Sequence, residues 1–130
     1  MNQDLEKYLK NGKVYYWKET FVVGKSKEIL TDAFATIKDK NEITVIADQS
    51  KINENDFIEI EKNWKLFTID IVFPFGVVGF LAKISRALAD EGISILSVSA
   101  YSNDHILVKE RDFEKTIKVF ENLGFNVEEK

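Results

Sequence analysis

The sequence contains no cysteine, one proline, one histidine and one methionine. Without cysteine there is no disulfide, no thiolate metal site and no cysteine nucleophile, a composition that suits a reducing compartment. A lone imidazole, His105, excludes multi-histidine metal sites and the H-E-x-x-H zinc pattern. No apolar run approaches the roughly 20 residues of a membrane-spanning helix. The opening segment MNQDLEKYLKNGK carries acids and lacks the apolar centre of a secretory signal. The expectation is a cytoplasmic protein with no membrane partner. An excess of positive charge is also missing: 18 Lys and Arg stand against 22 Asp and Glu, for a net charge of −4. The basic residues are interspersed with acids throughout, so no nucleic acid partner is expected.

What is present is an ordinary globular composition. Across 130 residues, 45% are apolar and 31% charged, enough for one domain or for two small modules sharing a core. Residues 2–10 fit a short amphipathic helix with Leu5, Tyr8 and Leu9 on one side. KVYYWKETFVV (13–23) is dense in β-branched and aromatic residues and reads as a strand. Ile29, Leu30, Ala33, Phe34 and Ile37 fall at helical spacing and predict a helix over 27–39. EITVIA (42–47) reads as a buried strand, 48–56 as a polar loop, and 57–60 as an extended segment with a break near Lys62-Asn63.

The second half is more regular. In WKLFTIDIVF (64–73), Phe67, Ile69, Ile71 and Phe73 alternate with Leu66, Thr68, Asp70 and Val72, the period of a strand. After the turn, Val77, Phe80, Leu81, Ile84, Ala87 and Leu88 recur at three and four residues, with Lys83, Arg86, Asp90 and Glu91 opposite, as in an amphipathic helix. ISILSVSAY (93–101) and HILVK (105–109) read as strands joined by a tight turn, 112–123 as a helix ended by Gly124, and FNVEE (125–129) as a last strand. The order β-α-β-β-α-β has a physical solution in two interleaved right-handed units: a ferredoxin-like α+β fold, an antiparallel sheet with both helices on one face. The first half reads as a similar, incomplete set, so the chain is expected to be a tandem duplication with a shortened N-terminal module. Leu66, Val72, Leu96, Val98 and Ala100 put apolar positions on the sheet face away from the helices, which implies a cover: the other module, a second subunit, or both. A homodimer is expected.

The segment 76–109, GVVGFLAKISRALADEGISILSVSAYSNDHILVK, resembles the ACT domain. Gly79 matches that family's turn glycine between first strand and first helix, and ADEGISI (89–95) its helix exit. SAYSNDHILV (99–108) is similar to the ending found in short proteins with paired ACT repeats, related to the repeats of cytosolic arginine sensors and aspartate kinases. The turn itself departs from the family's usual Asp or Asn followed by Arg-Pro-Gly: here it is Phe73-Pro74-Phe75-Gly76-Val77-Val78-Gly79. The resemblance implies a reduced ACT-like module over 1–62, an ACT domain over 63–130, and a regulatory role that binds a small molecule, most simply a free amino acid.

Two segments are candidates for that site. In the turn, Phe75, Gly76, Val77, Val78, Gly79 and Phe80 precede a helix N-terminus, whose backbone N–H groups suit a carboxylate. The same glycines satisfy neither the Walker pattern nor G-x-G-x-x-G, and a tight turn needing positive φ explains them equally. In the hairpin, Asp104 is the candidate for an ammonium group, helped by Ala100, Tyr101, Ser102 and Asn103. The alternative is that Asn103 and Asp104 only shape the turn. Asp70, unusual in mid-strand, fits an interface, the ligand site or a solvated edge. His105 reads as a half-buried, hydrogen-bonded imidazole, and Tyr15, Tyr16 and Trp17 as core and interface rather than a base-stacking platform. No nucleophile–base pair and no metal cluster emerges, so neither catalysis nor a cofactor is expected. The competing expectation is a protein–protein interaction module that keeps the fold without the ligand.

Overall fold

The computed structural model describes residues 3–72 and 78–130. In chain order the elements are α1 (Gln3–Leu9), β1 (Lys13–Tyr16), β2 (Phe21–Ser26), β3 (Ala35–Lys38), β4 (Ile43–Asp48), β5 (Phe57–Asp70), α2 (Phe80–Asp90), β6 (Ile95–Ser99), β7 (Asp104–Lys109), α3 (Phe113–Asn122) and β8 (Asn126–Glu129). The N-terminal segment through Lys18 and the chain from Leu66 onward form one compact unit, and Glu19–Lys65 form another. The boundary expected between residues 62 and 63 therefore falls inside β5.

From β5 onward the order is the expected β-α-β-β-α-β, and the fold is the α+β ferredoxin-like arrangement. β6 pairs with β7 antiparallel, from Ile95↔Val108 to Ser99↔Asp104, and β7 pairs in turn with β5. One neighbour pair departs from the antiparallel pattern. β1 lies beside β5 in antiparallel register, Val14↔Ile69 and Tyr16↔Phe67, and beside β8 in parallel register, Val14↔Val127 and Tyr16↔Glu129. The N-terminal strand thus takes the place next to β5, and β8 is displaced outward by one strand. Further hydrogen bonds fasten it, with Trp17 N–H donating to the Leu66 carbonyl at 3.0 Å and Lys130 N–H to that of Tyr16 at 3.0 Å.

This register sets the core. Val14, Phe67 and Ile69 point to the helical side, where Leu5, Leu9, Ile84, Leu88, Ile106, Val108 and Phe120 are all buried with them. Phe67 sits among aromatic rings, 5.5 Å from Phe113 and 5.4 Å from Phe120 between centroids, and Tyr16 meets Phe113 edge-on at 5.0 Å. The apolar spacing read from α2 is realised: Phe80, Ile84 and Leu88 are its buried residues.

The smaller unit is an antiparallel set in the order β3-β4-β2-β5, packed around Val22, Val45, Ala47 and Phe57. Gly24 is required there by close approach: a Cβ would collide with the ring of Phe57 and lie 3.0 Å from the Glu59 carbonyl oxygen. The helix expected over 27–39 does not form. Leu30 and Ala33 instead pack onto this small core, Ile29 and Ile37 stay 60% and 51% exposed, and 35–38 form β3, paired with β4 from Ala35↔Ile46 to Lys38↔Ile43. A left-handed Asp32, at φ 63°, interrupts any helical run. The strand expected over 13–23 is likewise two strands, β1 and β2. The break expected near Lys62-Asn63 is a local kink within β5. Asn63 takes φ 67° and is held by Gln49, with Asn63 N–H donating to Oε1 at 2.8 Å and Gln49 Nε2 to Asn63 Oδ1 at 3.0 Å.

Because β1 supplies the neighbour of both β5 and β8, a fragment of residues 63–130 lacks a central strand. In thermal melts followed by circular dichroism, the full chain is expected to unfold cooperatively and that fragment is not. Adding a peptide of residues 1–18 is expected to restore part of the transition.

Candidate functional site

The end of β5 and the β6–β7 hairpin lie together. Thr68 touches His105 and Ile69 touches Asn103, so β5 and β7 run in opposite directions. β6 is then parallel to β5, and its end at Ser99 comes to the edge where β5 ends at Asp70. The Asn103 side chain ties the two: Nδ2 donates to the Ile69 carbonyl at 3.2 Å and approaches Asp70 Oδ1 at 3.4 Å. Ala100 N–H donates to the Asn103 carbonyl at 2.8 Å, closing the hairpin. Ser99 Oγ donates to Asp104 Oδ1 at 2.6 Å, leaving the second carboxylate oxygen with further acceptor capacity.

α2 begins with Gly79 as its N-cap, in the left-handed region at φ 94° and without a side-chain cap. A Cβ there would find only Leu5 at 3.7 Å, so conformation rather than space demands glycine. The Lys83 N–H donates to the Gly79 carbonyl at 3.0 Å, the first bond of the helix. Among the backbone donors beyond the N-cap that the helix itself does not use are those of Leu81 and Ala82, further along than the sequence indicated. The Phe80 side chain is 6% exposed and belongs to the core. Val78 is 70% exposed. Phe75, Gly76 and Val77 lie outside the described residues.

Of the hairpin residues, Asn103 and Asp104 are half-buried and meet β5 and Ser99, while Ala100 and Ser102 are exposed. Tyr101 is 84% exposed at the tip and fills no pocket. The hairpin and the end of β5 thus bring two carboxylates, Asp70 and Asp104, to one edge, while the α2 N-terminus, with its partial positive charge, starts beside Leu5 of α1. Ser99 escaped sequence reasoning, although the Ser-x-x-x-x-Asp spacing across a two-residue turn would have revealed it.

His105 sits on the sheet face away from the helices, in a polar chain. Trp17 Nε1–H donates to Thr68 Oγ1 at 2.9 Å, and that hydroxyl lies 2.8 Å from His105 Nδ1. Indole nitrogen only donates, so Thr68 Oγ1 accepts from Trp17, and with a second lone pair and its own proton it can meet Nδ1 of either imidazole tautomer. Burial pushes the His105 pKa below the ordinary imidazole value, opposed by the neighbouring Asp104 carboxylate. Among the described residues no group of three or more His, Asp or Glu side chains is placed to hold a metal ion. No helix among them is long and apolar enough to cross a membrane.

Residues 59–122 match the family model of the ACT domain. Among solved structures, protein Atu0741 of Agrobacterium tumefaciens is similar at 21% identity over 92% of this chain and 94% of its own, with a TM-score of 0.76. VC0802 of Vibrio cholerae, described as a protein of unknown function and possible transport protein, aligns at 20% identity over 94% of this chain and 97% of its own, with a TM-score of 0.77. The regulatory subunit of aspartate kinase from Thermus thermophilus, in its ligand-free form, aligns at 9% identity over 88% and 98%, with a TM-score of 0.63. At these identities the likeness is one of fold. No curated protein matches the sequence.

Two outcomes follow from the polar chain. Removing the 1% exposed Thr68 hydroxyl by Thr68→Val is expected to cost about 1–3 kcal/mol in urea unfolding, through the loss of two buried hydrogen bonds. The lowered His105 pKa means that the unfolded chain takes up its proton first as pH falls. Stability is therefore expected to be full above the unfolded imidazole value of about 6.5 and to decline as pH drops below it. Comparing urea midpoints at neutral and mildly acidic pH checks this, because His105→Asn should remove that part of the slope.

Proposed function

We propose that the chain is a non-catalytic, cytoplasmic regulatory protein that binds a free amino acid at the edge formed by the start of α2 and the β6–β7 hairpin. The observation that supports this reading is the hairpin's pair of carboxylates, Asp104 held by Ser99 and Asp70 beside Asn103, in a chain whose α2 starts on a left-handed Gly79 N-cap. The α2 N-terminus offers the backbone N–H groups of Leu81 and Ala82 to a carboxylate, while Asp104, with Asp70 beside Asn103, presents oxygens to an ammonium group. A zwitterion needs both, and the match of residues 59–122 to the ACT domain model supports the same role. Since the turn side chains are apolar, the backbone and the hairpin do the choosing. The two-module reading, with a reduced ACT-like module before an ACT domain, gives such binding something to act on: a ligand that prefers one arrangement shifts its population. The protein works as a homodimer in this account. An exposed Tyr101 favours an open site over the competing reading, an interaction module whose pocket has closed.

Thermal-shift screening against the common amino acids at millimolar concentration should find at least one that raises the melting temperature. Gly79→Asp, which sets a carboxylate at the helix N-terminus, and Asp104→Asn should each abolish that shift. If no amino acid stabilises the wild-type chain, the sensor reading is wrong.

A further inference from the structure

Lysines that alternate with acids along the sequence are gathered by the smaller unit at one end of its sheet. Cross-strand pairing sets Lys38 opposite Ile43, Ile43 opposite Ser26, and Ser26 opposite Phe57. Next outward are Lys27, whose N–H donates to the Asp56 carbonyl at 3.0 Å, and the 39–42 turn that carries Lys40. Lys25 stands one position inward, opposite Thr44. Together Lys25, Lys27, Lys38 and Lys40 line a concavity of about 310 Å³, with Ile43 and the 58% exposed Ile58 as its apolar part. That volume is at the lower end of the roughly 300–1,000 Å³ of small-ligand sites. All the lining residues belong to the unit Glu19–Lys65.

Two acids, Asp39 and Glu42, share the concavity, and both are committed. Asp39 Oδ1 accepts from the Asn41 and Glu42 N–H groups at 2.8 Å each. Those bonds hold its pKa below the ordinary carboxylate value and fix the turn that presents Lys40. Glu42 lies 3.8 Å from Lys25 Nζ. Lys27, Lys38 and Lys40 are exposed, and none of them makes an ion pair with a described residue. The chain as a whole is negative, at −4, so this is a local excess of the opposite sign. Like charges gathered in this way repel one another, and a bound anion relieves the repulsion.

We infer that this concavity is a second binding site, separate from the amino acid edge, for a compact ligand that carries linked phosphate groups. Ammonium groups without acidic partners suit several phosphate oxygens held close together, through charge-assisted hydrogen bonds. A lone carboxylate would engage fewer of them. Ile43 and Ile58 offer apolar contact to whatever the phosphates carry. An extended nucleic acid backbone fits less well. Glu28 follows Lys27, Glu59 stands opposite Lys25, and Asp56 lies beside Lys27, so phosphates running on past the lysines meet carboxylates. The chemistry recognised is that of a polyphosphate, whether from a nucleoside triphosphate or from an inorganic chain.

Titration calorimetry of the full chain with tripolyphosphate and with ATP, at about 150 mM salt, tests this. At least one of the two should bind with a dissociation constant below about 1 mM. Equal affinities mean that the phosphates alone are read, tighter ATP adds the contacts of Ile43 and Ile58, and tripolyphosphate alone marks an inorganic anion. Replacing Lys27, Lys38 and Lys40 together by Ala should weaken binding about tenfold or more. Ala at Lys10, Lys51 and Lys118, which removes the same charge elsewhere, should weaken it less than about threefold. In the isotopically labelled wild-type chain, tripolyphosphate should shift the amides of residues 25–27 and 38–43, a readout that stands even if the first triple variant fails to fold. No binding of either probe at about 1 mM, equal loss in the two triple variants, or shifts centred elsewhere in the chain overturns the site. Tighter binding of a single-stranded oligonucleotide than of tripolyphosphate overturns the assignment to a compact ligand.

Discussion

The pairing of β1 between β5 and β8 is the contact on which the larger unit depends. It is made by four residues, Lys13–Tyr16, in antiparallel register with one neighbour and parallel register with the other. That double register decides which way every side chain of β5 points. A slip by one residue would send Phe67 and Ile69 away from the helices and bring Thr68 and Asp70 into the core. With the register as it is, Phe67 completes the aromatic cluster with Phe113 and Phe120. Thr68 joins Trp17 to His105 on the other face, and Asp70 arrives beside Asn103. Packing and site are consequences of one strand pairing that closes late in sequence terms, between residues more than fifty positions apart.

The candidate site uses little side-chain chemistry. Its positive element is the start of α2, which any helix offers, and Gly79 contributes by adopting a left-handed conformation closed to most residues. Its negative elements are held by local bonds: Asp104 by Ser99, and Asp70 next to an Asn103 that is itself fixed to the β5 backbone. Those bonds orient the hairpin before a ligand arrives, which lowers the ordering cost of binding. They also explain why Asn103 and Asp104 shape the turn and serve as site candidates at once; the two readings are compatible.

The sequence disclosed the elements whose signal is local. The 3.6-residue spacing of Phe80, Ile84 and Leu88, the alternation through Phe67 and Ile69, and the glycines after α2 and α3 all act within one element. Where it misled, the deciding interaction was distant. Ile29, Leu30, Ala33, Phe34 and Ile37 fit a helix by spacing, but Phe34 N–H is taken by the Ile46 carbonyl at 2.8 Å and β3 pairs with β4. The insertion of β1 was equally illegible, because the alternation of KVYY is the same whichever neighbours it has. At the site, Gly79 was legible as a turn glycine. Its position as the α2 N-cap, which moves the free donors on to Leu81 and Ala82, depends on where the helix begins. The contacts of Ser99, Thr68 and Trp17 require the hairpin and sheet to be assembled first.

The central claim is that an amino acid is held between the α2 N-terminus and the β6–β7 hairpin. Amide chemical shifts of the isotopically labelled chain, followed while each common amino acid is titrated in, address it residue by residue. The account predicts that at least one of them saturably shifts the amides of Gly79, Phe80, Leu81 and Ala82 together with those of Asn103 and Asp104. Saturable shifts confined to residues 19–65, or none with any amino acid, would contradict it.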